Sequence, residues 1–90
     1  MRKTNRELER IVKGFANHRR IEILFLLDKN PDLSVLAISD RLKSDFKNIS
    51  AHISKMYIAG LLVKRSMGNT VCHKLTKRGK SILQFVRIIE

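Results

Sequence analysis

Three histidines, one cysteine and eight acidic residues are what this 90-residue chain offers for metal ligation or for acid, base and nucleophilic chemistry. Their spacing supports none of it. Cys72 stands alone, so an internal disulfide is excluded and every zinc pattern lacks its thiols. His18, His52 and His73 are scattered, and no nucleophile, base and orienting group fall together. Gly14, Gly60, Gly68 and Gly79 are isolated, so no glycine-rich loop can cradle a nucleotide. No cofactor and no enzymatic activity are expected. What the chain does carry is charge: 19 Lys and Arg give a formal net +11. Residues 1–20 hold +5, residues 21–42 hold −2 and residues 81–90 are neutral. Residues 43–80 hold +8, with Lys43, Lys47, Lys55, Lys64, Arg65, Lys74, Lys77, Arg78 and Lys80 against Asp45 alone. So focused a patch suits a polyanion, because each neutralised phosphate releases condensed counterion.

The elements that must display this patch are marked by caps and periodicity. Thr4 and Glu7 form a capping box ahead of Leu8, Ile11, Val12 and Phe15, which predicts a helix over about 5–15. Asn17 caps a second helix, and its Ile21, Ile23, Leu24, Phe25 and Leu27 nearly encircle the axis, as in a buried central helix ending near Asn30-Pro31. Ser34 caps a short third helix through Leu42, with Val35, Ile38 and Leu42 inward. Asp45 caps a fourth over about 45–59, stopped by Gly60, with Ile49, Ile53 and Met56 inward. Its opposite face presents Phe46, Lys47, Asn48, Ser50, Ala51, Ser54 and Lys55, small or hydrogen-bonding in the middle and basic at the ends. Two β-prone runs within 61–75 meet at Gly68-Asn69, a two-residue hairpin turn. Thr76 caps a last helix over about 77–89.

A hydrophobic fraction of 43% with 30% charged residues is that of one folded domain spanning residues 1–90. Ile23 to Leu27 is the longest apolar run, far short of the roughly 20 residues that cross a bilayer, so no membrane partner is expected. The basic start Met1-Arg2-Lys3-Thr4-Asn5-Arg6 leads into no apolar stretch, so the expected location is the cytoplasm, on the nucleoid. The core is expected from Ile23, Leu24, Leu27, Ile38, Leu42, Ile49, Ile53, Met56 and Leu62. That leaves Leu8, Ile11, Val12, Phe15, Ile82, Leu83, Phe85, Val86, Ile88 and Ile89 on the terminal helices as surplus, the expected interface of a homodimer.

The order α-α-α-α-β-β-α, mainly helical with one hairpin, is that of the winged helix-turn-helix. The residues from Phe15 to Thr76 resemble the ArsR-type transcription regulators, with the MarR type as cousins. Phe15-Ala16-Asn17-His18-Arg19-Arg20-Ile21-Glu22-Ile23-Leu24 is similar to the opening Leu-Ala-Asp-Pro-Thr-Arg-Leu-Arg-Ile-Leu. Ile49-Ser50-Ala51-His52-Ile53 matches Val-Ser-Arg-His-Leu, Ile58-Ala59-Gly60-Leu61-Leu62 matches Glu-Ala-Gly-Leu-Val, and Lys74-Leu75-Thr76 matches Arg-Leu-Thr, all in one ungapped register. The resemblance implies a fourth helix that recognises DNA and a basic wing. It departs at Ala51, where Arg is frequent, and at the wing tip Met67-Gly68-Asn69-Thr70, which lacks the usual cation for the minor groove. The third helix has no Cys and residues 77–89 no carboxylate or His, so no metal sensor is implied.

The expected function is a sequence-specific double-stranded DNA-binding regulator, a dimeric repressor acting by operator occlusion. The alternative is a winged-helix adaptor for protein or RNA in a larger assembly. Lys47, Asn48, Ser50 and Ala51 are the expected base readers, and Lys43, Ser54, Lys55, Lys64, Arg65, Asn69 and Lys74 the backbone contacts. No small-molecule effector is assigned. Among single residues, Arg19 and Arg20 are expected to pair with Glu22 or Asp40, and His52 to make a structural hydrogen bond. Cys72 and His73 are expected to pack in the wing, and Phe46 to cover the third helix.

Overall fold

A computed structural model describes residues 2–90; Met1, which opens the basic N-terminal run, lies outside the described residues. The elements are α1 (Asn5–Phe15), α2 (His18–Lys29), α3 (Val35–Leu42), α4 (Phe46–Ile58), β1 (Leu62–Met67), β2 (Thr70–Leu75) and α5 (Lys77–Ile89), in the expected winged helix-turn-helix order. Each helix begins where its cap stands. Thr4 Oγ1 accepts from Glu7 N at 3.1 Å while Thr4 N donates to Glu7 Oε1 at 2.9 Å. Asn17 accepts from Arg19 N, Ser34 from Ala37 N, Asp45 from Asn48 N and Thr76 from Gly79 N. Each such bond satisfies an orphan helical donor and contributes about 1 kcal/mol.

Helix α2 is the hub, with Ile23, Leu24 and Leu27 fully buried and α4, α5 and β2 packed around it. Ile38, Ile49, Ile53, Met56 and Leu62 close the core as expected. Leu42 is only half-buried, and Ala59, Leu61, Leu75 and Leu83 take places that periodicity had not assigned. Leu83 corrects the expected dimer interface. It is 1% exposed in the chain's own core, because α5 lies on α2 and β2 with Gly79 and Leu83, one turn apart, facing in. A Cβ at position 79 would collide with the Leu61 carbonyl, so the glycine sets how closely α5 approaches.

The hairpin pairs Leu62 with Leu75 through Met67 with Thr70. Gly68 takes φ +67° while Asn69 keeps negative φ, the pattern of a type II′ turn. A third segment joins the wing: His73 N donates to Leu33 O at 2.8 Å, and Asp32 N donates to His73 O at 3.0 Å. The His73 ring is 2% exposed with Nδ1 3.1 Å from the Leu33 carbonyl, so its Nδ1 carries the proton. Cys72 is buried beside it.

Candidate nucleic-acid interface

The turn from α3 into α4 is three residues long, Lys43-Ser44-Asp45, and Lys43 makes it by adopting φ 51°. Ser44 N donates to Ser39 O and Asp45 caps α4, so the second helix leaves the turn with its orientation set by backbone bonds. With Ile49, Ile53 and Met56 at 0–2% exposure, the opposite face of α4 must look outward. Lys47, Asn48, Ala51, Ser54 and Lys55 are exposed on it. Ser50 is half-buried on the flank, further from that face than its place in the motif implies.

His52 anchors the other flank. Arg20 Nε donates to its Nδ1 at 3.1 Å, and Arg20 Nη1 donates to the Lys13 carbonyl at 2.8 Å, so one guanidinium ties the end of α1 and α2 to α4. The expected carboxylate partner of Arg20 is thus replaced by an imidazole and a carbonyl, whereas Arg19 does pair with Glu22 at 3.0 Å. Partial burial, then the positive charges of Arg20, His18, Lys55 and Arg19, hold the His52 ring below its ordinary pKa of 6.5. A neutral ring is what accepting a hydrogen bond requires.

The wing cations diverge. Lys64 lies over the Tyr57 ring, 4.4 Å from its centroid, which holds the ammonium beside the end of α4. Arg65 turns to Asp32, 4.0 Å away, on the loop before α3. Asn69 is exposed at the wing tip. Lys74 opens instead on a groove with Asp28, Asp32 and Lys80, which no residue of α4 lines. Lys43 is exposed in the turn. The structure therefore brings Lys47, Asn48, Ala51, Ser54 and Lys55 onto one surface with Lys64 near its end, and leaves Lys74 elsewhere. Phe46 is 51% exposed rather than folded over α3. Sequence reasoning missed Tyr57, whose link to Lys64 crosses from helix to strand and follows no sequence period.

Of the terminal residues, Leu8, Val12, Phe85, Ile88 and Ile89 are 39–75% exposed, while Ile11, Phe15, Ile82 and Val86 are half-buried. Among the described residues no group of three His, Cys, Asp or Glu side chains is placed to hold a metal, and no helix is long and apolar enough to cross a membrane.

No family model matches the chain, and no curated protein matches it in sequence. Solved structures do. HlyU from Vibrio cholerae is 29% identical with a TM-score of 0.82, over 99% of this chain and 97% of that one. The transcriptional regulator HlyU from Vibrio vulnificus is 26% identical with a TM-score of 0.75, over 94% and 88%. A homodimeric winged helix-turn-helix DNA-binding domain from Mycobacterium bovis, described as a possible ArsR-family transcriptional regulator, superposes with a TM-score of 0.83 at 24% identity, over 92% and 77%. Element order, hairpin and neighbours agree: the chain is a winged helix-turn-helix protein of the kind found in HlyU and the ArsR-family regulators.

Proposed function

We propose that this chain is a sequence-specific DNA-binding transcription regulator that works as a homodimer and represses by covering its operator. The observation that carries the reading is the outward face of α4, where Lys47, Asn48, Ala51, Ser54 and Lys55 are exposed together on a helix cap-fixed to α3, in a chain of net charge +11. Lys suits the O6 and N7 acceptors of guanine, and Asn the N6 and N7 edge of adenine. Ala51 brings no bulk between helix and bases. Lys64 stands beside this face and Lys43 in the turn, suited to phosphates, and Arg65 joins them once released from Asp32. Two copies joined through the exposed apolar residues of α1 and α5 present two such helices to successive major grooves, as a palindrome requires.

Selection from random duplex DNA, with sequencing of the retained pool, tests the reading. A palindromic motif is expected; a pool without a motif would overturn sequence-specific regulation. On the selected site, Asn48→Ala is expected to cost about 1–3 kcal/mol, and less on random DNA. Equal losses on both would remove Asn48 from the base readers.

A further inference from the structure

A groove of about 530 Å³ runs between α1, the last turns of α4 and the start of α5. Its volume is that of a small-molecule site. The floor is apolar: Gly14 lies against Ala59, Ile11 runs alongside, and Ile58 stands at the groove 82% exposed, more than any other large apolar side chain of the described residues. The surround is cationic. Lys3, Arg10 and Lys55 line it, and among the described residues none has a carboxylate within 4.0 Å. Arg20 and Arg78 open onto it too, each with a nitrogen already donated to a backbone carbonyl. Glu7 is the acidic residue of the lining, and its Oε1 already accepts from Thr4 N at 2.9 Å. The motif that Ile58-Ala59-Gly60-Leu61 resembles has Glu in first place; here an isoleucine stands where a carboxylate would have offset part of the groove's positive charge.

We propose that this groove binds a small amphiphilic anion, a carboxylate carried on an apolar body. Among the described residues Lys3, Arg10 and Lys55 have no close ion-pair partner, the nearby Glu7 being hydrogen-bonded to Thr4, and Ile58 has no internal cover; one ligand of that chemistry satisfies both. A nucleic-acid phosphate answers the cations and leaves Ile58 and Ile11 wet. A second copy of the chain has few acids to offer, since Glu9, Glu22, Asp28 and Asp32 are paired with Lys13, Arg19, Arg87 and Arg65. Pairing through Leu8 and Val12 would reach only one side of the groove: at roughly 100° per residue they lie about 100–160° from the Glu7, Arg10 and Gly14 that line it, with Ile11, about 60° from Leu8, at the shared edge. The groove shares Lys55 with the proposed DNA-facing surface, but its ligand chemistry does not rest on the DNA reading.

Titration calorimetry of the full chain with octanoate, acetate and octan-1-ol tests it. Octanoate is expected to bind once per chain, and acetate and octan-1-ol each about tenfold more weakly or less, because each satisfies half of the site. Ile58→Glu and Arg10→Glu are each expected to weaken octanoate about tenfold or more, with helical signal and melting temperature unchanged, as both side chains are exposed. Equal binding of acetate reduces the groove to a general anion site, and equal binding of octan-1-ol to an apolar patch; either overturns the proposal. So does the absence of octanoate binding, or binding that both variants leave intact. Dissociation of a dimer by Ile58→Glu would assign the groove to a second copy instead.

Discussion

Asp32 is where the wing meets the loop before α3, and two of its features work against stability. Its φ of 64° lies in the left-handed region and one carboxylate oxygen is buried without a partner, while the other makes only a long ion pair, 4.0 Å from Arg65. Asparagine tolerates the same backbone and brings no charge. Asp32→Asn is therefore expected to keep or raise the melting temperature, and by freeing Arg65 to raise DNA affinity about two- to fivefold in a filter-binding titration. A loss of both would show that the ion pair organises the wing. His52 and His73 make stability depend on pH. Burial is the main cause that holds each ring below 6.5; the Leu33 carbonyl offsets part of this at His73, and nearby cations add to it at both. The folded chain then binds fewer protons than the unfolded one, so their contribution is complete above pH 6.5 and is lost as the pH falls through the folded values. The urea midpoint is expected to drop between roughly pH 7 and 5.5, and to drop less in His52→Gln. A midpoint constant over that range would contradict the arrangement.

At the scale of elements, α1 and α5 carry the question of assembly. On α1 only Gly14 is buried, against Ala59, leaving Leu8 and Val12 as an exposed pair one turn apart. On α5 the same test separates two sides: Gly79 and Leu83 face the core, while Phe85, Ile88 and Ile89 look outward. Burying such side chains stabilises a pair by about 1–2 kcal/mol each for half-exposed groups, before ordering costs. Val12→Glu with Phe85→Glu is thus expected to halve the mass seen by sedimentation at micromolar concentration while the fold persists. Leu83→Ala is expected to cost about 2–5 kcal/mol of protomer stability, because it opens a cavity rather than an interface. If the double variant sediments like the parent, the terminal helices are not the seam. The wide apolar arc of α5 was visible in the sequence, but its inner and outer halves were not, because periodicity gives the width of a stripe and not what it is pressed against.

For the whole molecule the governing quantity is the distribution of +11, with +8 of it on residues 43–80. A dimer neutralising about 6–10 phosphates is expected to lose about 10³–10⁵ in DNA affinity between about 50 and 200 mM salt, and a flat response would rule out the DNA reading. The element order, the five caps, the hairpin turn, the central place of α2 and the outward face of α4 were all determined by the sequence alone. The reason is that a cap, a helical repeat and a two-residue turn involve neighbours within a few positions, where residue type dictates geometry. Tertiary structure alone decided the rest. Arg20 reaches His52 across 32 positions, and the His73 ring meets the Leu33 carbonyl across 40. Leu83 turns inward, Lys74 turns away from α4, and Ile58 is left uncovered among cations. Each of these depends on which surface a neighbouring element happens to occupy, and no local spacing in the chain encodes that.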